Sequence, residues 1–256
     1  MPLSSLQISE FSSQVLEYAI RIRRSIHQNP ELSYKEFETS ARVVEELSLL
    51  GIDKIQTVAE TGILAQIQTN NTSGKILVLR SELDALPINE ESGAEYASKN
   101  KNIMHACGHD AHTAILLSVA KILQENKHLL KGELWLLFQP GEELAPGGAS
   151  LVLKEGILQK IKPDAIIAQH VLPEMESGNT GFRAGRYMAS SDEIYIDIIG
   201  KGGHAALPDS STDQILISSQ LLQKLKSSVY EFAGDHKIAF GIGKFIADGA
   251  TNVIPA

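Results

Sequence analysis

Three short apolar runs, set among segments with helical periodicity, constrain the fold more than any other feature of this chain. The runs are Ile76 to Leu79, Leu134 to Phe138 and Ala165 to Ala168. Apolar residues at helical spacing occupy residues 8–27, 35–50 and 111–130. Strands that alternate with helices predict an α/β fold, a sheet with helices on its faces.

The sequence pattern changes after residue 187. Ile194, Ile196 and Ile198 alternate with polar residues, which is typical of a half-buried strand. A helix is predicted over residues 213–229 and a further strand over residues 237–246. We therefore predict two domains, residues 1–187 and residues 188–256.

Composition excludes several classes of partner. The chain has 256 residues and a net charge of −8, which argues against nucleic acid or an anionic membrane surface as the main partner. The first residues lack the basic start and apolar run of a signal peptide, and no later stretch is long enough to span a bilayer. The single cysteine, Cys107, excludes an intrachain disulfide, so a cytoplasmic protein is the simplest prediction.

Each of the three apolar runs delivers polar side chains at its carboxyl end. The first leads to Asp84, the second to Glu142 and Glu143, and the third to His170. In open α/β sheets, ligands bind outside the carboxyl ends of the strands. Three such endings, each with a carboxylate or an imidazole, indicate a functional site at that edge.

A fourth segment, residues 104–112, contains three of the eight histidines and the only cysteine. Imidazole and thiolate groups are good ligands for zinc-like ions. Gly108 allows the backbone to turn between Cys107 and His109. Asp110 is placed to act as a carboxylate behind the ligands or to cap the helix that follows.

The adjacent glutamates suggest a division of labour. Neighbouring residues in an extended segment point in opposite directions, so one carboxylate can bind metal while the other faces substrate and water. A hydrolytic metal site needs a base that accepts a proton from water and returns it to the leaving group.

Each feature also has an ordinary interpretation. A Glu-Glu pair is usually a solvated loop, a lone His170 a structural histidine and a lone Cys107 a small buried residue. Asp84 could be a turn residue, as could His204 after its two glycines. Spacing alone supports a metal site and an ordinary surface about equally.

Three strings of residues resemble one known family. Leu79 to Pro87, Met104 to His112 and Phe138 to Glu143 resemble the aminoacylase and carboxypeptidase G family of metallopeptidases. The most similar branch contains N-acyl-amino-acid amidohydrolases, hippurate hydrolases and hydrolases of auxin–amino-acid conjugates. His27 to Ser33 and Asn252 to Pro255 are also similar to that branch.

The resemblance implies a zinc-peptidase-like catalytic domain with a mixed, largely parallel sheet flanked by helices. It also implies an inserted α+β, ferredoxin-like lid domain through which members usually form homodimers. Family members continue well beyond the position of Ala256 and take a final histidine ligand from that part. We therefore expect both domains to be incomplete at the C-terminus.

The resemblance implies two divalent metal ions, zinc or manganese, with cobalt or nickel as alternatives. By position, Cys107, His109, Glu143 and His170 are the expected metal ligands.

The resemblance also assigns roles outside the ligand set. Glu142 is the expected general base, His204 the lid histidine that steadies the oxyanion, and Asn252 a residue near the substrate carboxylate. The expected supporting groups are Asp84, Asp110 and His112.

Three functions follow as hypotheses. The first is a metal-dependent amidohydrolase that cleaves the amide bond of N-acyl amino acids. The second is a dipeptidase or carboxypeptidase with the same site. The third is an inactive, truncated remnant that binds metal or dimerises. The substrate in the first two is a small molecule.

Overall fold

A computed structural model describes residues 4–69, 74–207 and 211–256. The chain divides into two compact units, residues 1–179 and residues 180–256.

The first unit begins with two amphipathic helices, α1 (Ser5–Gln28) and α2 (Phe37–Leu49). Helix α1 starts at a capping box, in which the Ser4 hydroxyl accepts a hydrogen bond from the Gln7 backbone and the Gln7 side chain accepts one from the Ser4 backbone. Both helices were predicted from their apolar spacing, and both predictions are confirmed.

A five-stranded mixed sheet forms the centre of the first unit, in the order β1-β2-β4-β3-β5. Strand β3 runs parallel to β4 and β5, whereas β2 runs antiparallel to β1 and β4. The sheet is therefore mixed, as expected, but only half of its strand pairs are parallel. The strands are β1 (Ile55–Val58), β2 (Gly62–Ile67), β3 (Ile76–Glu82), β4 (Glu133–Gln139) and β5 (Ala165–Ala168).

The register of the three parallel strands brings their carboxyl ends together. Glu82 of β3 lies opposite Gln139 of β4, and Arg80 of β3 lies opposite Ala168 of β5. The polar residues that follow these strands therefore meet at one edge of the sheet, as the sequence predicted.

Helices cover both faces of the sheet. Helices α1, α2 and α3 (His109–Glu125) pack on one face, where Leu136 is fully buried. Helices α4 (Gly148–Lys154) and α5 (Ile157–Ile161) pack on the other face, beside Leu137. Successive residues of a strand point to opposite faces, so the apolar β4 sequence serves two cores at once.

Two expectations for the first unit require correction. Residues 63–68 and 76–79 have the pattern of a pair of strands around a turn at residues 70–74. These strands form as β2 and β3, but they are not neighbours, because β4 lies between them. The turn predicted there falls, apart from Gly74, outside the described residues. The helix predicted over residues 111–130 ends at Glu125 and is followed by a short 3-10 turn, Lys127–Leu129.

The second unit contains helix α6 (Gln214–Ala233) and a short antiparallel pair, β6 (Gly203–His204) and β7 (Val253–Ile254). The helix confirms the prediction for residues 213–229. The strands predicted over residues 194–198 and 237–246 were wrong, since neither segment is paired as a strand. Alternating apolar residues are typical of a strand with one buried face, but here Ile194 and Ile196 are exposed.

No helix within the described residues is long and apolar enough to cross a membrane.

Candidate metal centre

Cys107 and His109 lie on either side of a backbone turn at the start of α3. Gly108 provides the turn with a φ of 84° in the left-handed region. A Cβ atom at this position would lie 2.5 Å from Cγ2 of Val171. Glycine is therefore required both for the turn and for the close approach of the segment after β5.

The surroundings of His109 select one tautomer. Its Nδ1 lies 2.8 Å from the backbone oxygen of Asp84 and 3.2 Å from Oδ1 of the same residue. Two acceptors beside Nδ1 place the proton there, so Nε2 presents its lone pair to the site. This is the form in which an imidazole binds metal.

His170, two residues after the end of β5, is arranged in the same way. Its Nδ1 lies 2.6 Å from the backbone oxygen of Val171, and its Nε2 lies 3.3 Å from Sγ of Cys107. The Cys107 thiol and an imidazole nitrogen of His170 therefore lie side by side, although the two residues are 63 positions apart in the chain.

Glu142 and Glu143 lie in the loop after β4. Oε2 of Glu142 and Oε1 of Glu143 lie 3.9 Å and 3.8 Å from Nε2 of His109. The expectation that the two carboxylates point in opposite directions was wrong, because Gly141 has a φ of 52° and the loop is not extended. Their exposure still differs, at 43% for the Glu142 side chain and 20% for that of Glu143.

Within the part of the chain that the structure describes, three groups of potential metal ligands share His109. They are Cys107 with His109 and His170, His109 with Glu142 and Glu143, and Glu82 with His109 and His112. Within each group the ligand atoms lie within 4.8 Å of one another. Oε1 of Glu143 is also buried without a hydrogen-bond partner. Since a buried carboxylate oxygen requires a partner, these donors fit a divalent cation.

The local electrostatics reflect this concentration of acidic groups. Burial, followed by the hydrogen bond and charge of Glu143, raises the pKa of Cys107 to about 12. Burial and the Glu143 charge also raise the pKa of Glu142 above its usual range. A bound cation would offset this accumulation of negative charge.

The expected supporting residue His112 links two strand ends. Its Nδ1 lies 2.8 Å from Oε2 of Glu82, and its Nε2 accepts a hydrogen bond of 2.9 Å from the backbone N–H of Val171. Both ring nitrogens of His112 therefore have partners within the structure. Glu82 was not predicted to be a site residue, although a period of two places it on the same side of the chain as Asp84.

Asp110 pairs with two side chains of α1. It lies 2.8 Å from Nδ1 of His27 and 3.2 Å from Nε of Arg23. The alternative that it caps α3 was wrong, because the N-cap is Gly108 and no side chain caps the helix.

His204 and Asn252 lie close together within the second unit. His204 is in β6 opposite Val253, and the Ala205 backbone N–H donates to the Asn252 backbone oxygen at 3.0 Å. Both side chains are exposed.

Comparison with known proteins is decisive for the family. The sequence profile of the peptidase family M20/M25/M40 matches residues 78–248, more than half of the chain. The chain belongs to this family.

Two curated M20-like relatives illustrate the similarity. An N-acetyl-L-cysteine deacetylase from Bacillus subtilis is 45% identical, and the match covers 92% of this chain and 56% of the relative. An N-acyl-L-amino acid amidohydrolase from Geobacillus stearothermophilus is 37% identical, with coverage of 97% and 67%. The chain thus spans between about half and two thirds of the length of these relatives.

Solved structures show the M20 fold. An aminohydrolase from methicillin-resistant Staphylococcus aureus is 34% identical, with a TM-score of 0.76 and coverage of 98% of this chain and 67% of that chain. A dinuclear metal binding peptidase of the M20 family from Bacillus subtilis is 37% identical, with a TM-score of 0.58 and coverage of 65% and 45%.

Proposed function

We propose that the protein is a metal-dependent amidohydrolase that cleaves the amide bond of N-acyl amino acids. The observation that carries this proposal is the convergence of Cys107, His109, His170 and Glu143 beside the more exposed carboxylate of Glu142. The names of the two curated relatives support the same substrate class.

Cys107, His109, Glu143 and His170 would hold two divalent ions. A dinuclear relative of the same family supports that number. The thiol favours zinc, while the carboxylate and imidazole groups also suit manganese, cobalt or nickel. When bound, the ions supply Lewis acidity that polarises the amide carbonyl and acidifies water.

Glu142 would perform the proton transfers. Its carboxylate is close to the ligands but remains partly open to solvent, so it can accept a proton from the attacking water. The same group can then return that proton to the departing amine. Glu143 is more buried and would serve as a ligand.

We further propose that residues 188–256 belong to a ferredoxin-like lid that forms a homodimer, with residues 1–187 as the catalytic domain. His204 and Asn252 would contact the substrate oxyanion and carboxylate. Their proximity and exposure support a shared role.

His204→Ala should lower kcat without changing metal affinity, and light scattering would report the dimer. A cytoplasmic location stays a prediction.

The test is Glu142→Gln, with Glu45→Gln as a matched change at an exposed position. The parent should hydrolyse acetyl- or benzoyl-amino acids when loaded with zinc or manganese. Glu142→Gln should retain metal and lose about 10²–10⁴-fold in kcat, and Glu45→Gln should match the parent. Turnover of Glu142→Gln at the parent rate would show that the base is misassigned.

Aminoacyl-amino acids should be included as substrates. Preference for them would favour a dipeptidase. No turnover of any substrate by the metal-loaded parent would favour the inactive remnant.

A further inference from the structure

A carboxylate far from the metal ligands in sequence is buried beneath the glutamate loop, which we define as residues 140–147. Glu36 is 0% exposed. Its Oε1 accepts a hydrogen bond of 2.7 Å from the Gly141 backbone N–H, and its Oε2 accepts one of 2.6 Å from the Thr61 hydroxyl. Complete burial of a carboxylate costs free energy unless hydrogen bonds compensate for the lost water. We therefore expect the bond to Gly141 to fix the position of the loop backbone.

Tyr34 contacts the same loop at two points. Its hydroxyl donates a hydrogen bond of 2.7 Å to the Leu144 backbone oxygen. Its ring lies over Gly141, where a Cβ atom would overlap the ring carbons. Tyr34 also has a φ of 63°, a conformation that a residue with a side chain adopts only under constraint.

Ser33 completes the set. Its hydroxyl donates a hydrogen bond of 2.7 Å to Oδ2 of Asp84, the atom that also accepts the backbone N–H of Glu143 at 2.9 Å. Glu36 and Tyr34 therefore contact the loop before and after the two glutamates, and Ser33 is linked to Glu143 through Asp84.

We propose that Glu36 and Tyr34 are positioning residues, which hold the glutamate loop so that Glu142 and Glu143 face His109. Neither residue belongs to the groups of potential metal ligands. The inference rests on the proposed function for the role of Glu142, but its effect on Glu143 concerns metal affinity alone.

The experiment compares Glu36→Leu and Glu36→Gln with Glu31→Gln. Leucine removes both acceptors from Glu36, whereas glutamine keeps a carbonyl oxygen for Gly141. Glu31 is a matched control, since its carboxylate accepts hydrogen bonds from the backbones of Glu38 and Thr39 in α2 and none from the loop.

Zinc affinity by chelator competition and the absorption spectrum of the Co²⁺-loaded protein are the readouts, with thermal unfolding alongside. Glu36→Leu should bind zinc about 10–100-fold more weakly and change the Co²⁺ spectrum. Glu36→Gln should keep most of the parental zinc affinity. Glu31→Gln should lower thermal stability and leave zinc affinity at the parent value.

A folded Glu36→Leu protein with parental zinc affinity would overturn the proposal. If that variant does not fold, the double change Glu36→Gln with Tyr34→Phe decides, and parental affinity in the double variant would overturn it equally. Absence of turnover by the parent, together with weakened zinc binding by Glu36→Leu, would reject the amidohydrolase and leave this inference standing.

Discussion

Oδ2 of Asp84 accepts a hydrogen bond of 2.9 Å from the backbone N–H of Glu143, 59 positions further along the chain. The other oxygen of the same carboxylate faces Nδ1 of His109. One side chain therefore contacts both His109, at the start of α3, and the loop after β4. Burial raises the pKa of Asp84, but the hydrogen bonds from His109 and Glu143 outweigh it and lower the pKa to about 2.

Asp84→Asn should weaken zinc binding about 10–100-fold. The asparagine amide group would direct its N–H bonds at one of the groups that now donate a hydrogen bond to the carboxylate. Chelator competition measures this loss. Asp53→Asn is the matched change at an exposed position and should bind zinc as the parent does. Parental affinity in Asp84→Asn would mean that His109 needs no carboxylate to hold its tautomer.

His112→Phe should destabilise the protein by about 2–4 kcal/mol, since it leaves the Val171 N–H and Oε2 of the buried Glu82 carboxylate without their partner. Urea unfolding of the metal-free protein measures the change. His128→Phe, at an exposed position, should have little effect. Equal stability of the two variants would contradict the assigned contacts.

His27 should stabilise the fold in a pH-dependent manner. It is buried between Asp110, at 2.8 Å, and Glu90, at 3.1 Å. The Asp110 hydrogen bond raises the pKa of His27 above its usual 6.5, against the effect of burial and with the help of Glu90. The Tyr96 and His105 rings also face it, with centroids 5.5 Å and 6.4 Å away.

A raised folded-state pKa means that the stabilisation is complete below about pH 6.5 and is lost as the pH rises through the folded value. The difference in unfolding free energy between the parent and His27→Gln should therefore shrink from pH 6.5 upward. Urea titrations at several pH values would show this. A difference in unfolding free energy that grows with pH would show that the folded-state pKa of His27 is lowered and not raised.

Zinc binding should release a proton from Cys107. The metal-free thiol has a pKa of about 12, raised by burial and then by Glu143, so at neutral pH it is protonated and must lose its proton to bind as a thiolate. Calorimetry in buffers of different ionisation enthalpy counts the protons. Cys107→Ser should release about one fewer, and equal release would exclude the thiol as a ligand.

Helices α1 and α2, strands β3, β4 and β5 and the edge where the site lies were predicted from sequence, because apolar periodicity is a local property. Strand β1 was missed because Gln56 and Thr57 are exposed and give no apolar run. The strands predicted over residues 194–198 and 237–246 did not form, since alternation cannot supply a partner strand.

The sequence by itself determined which residue types gather at the strand ends, because ligand chemistry and the position after an apolar run can be read locally. Only the tertiary structure decided how they are held. The contacts of Glu36 with Gly141, of Asp84 with Glu143 and of His27 with Asp110 join residues 105, 59 and 83 positions apart. Such contacts depend on strand order and helix packing, which no local pattern encodes.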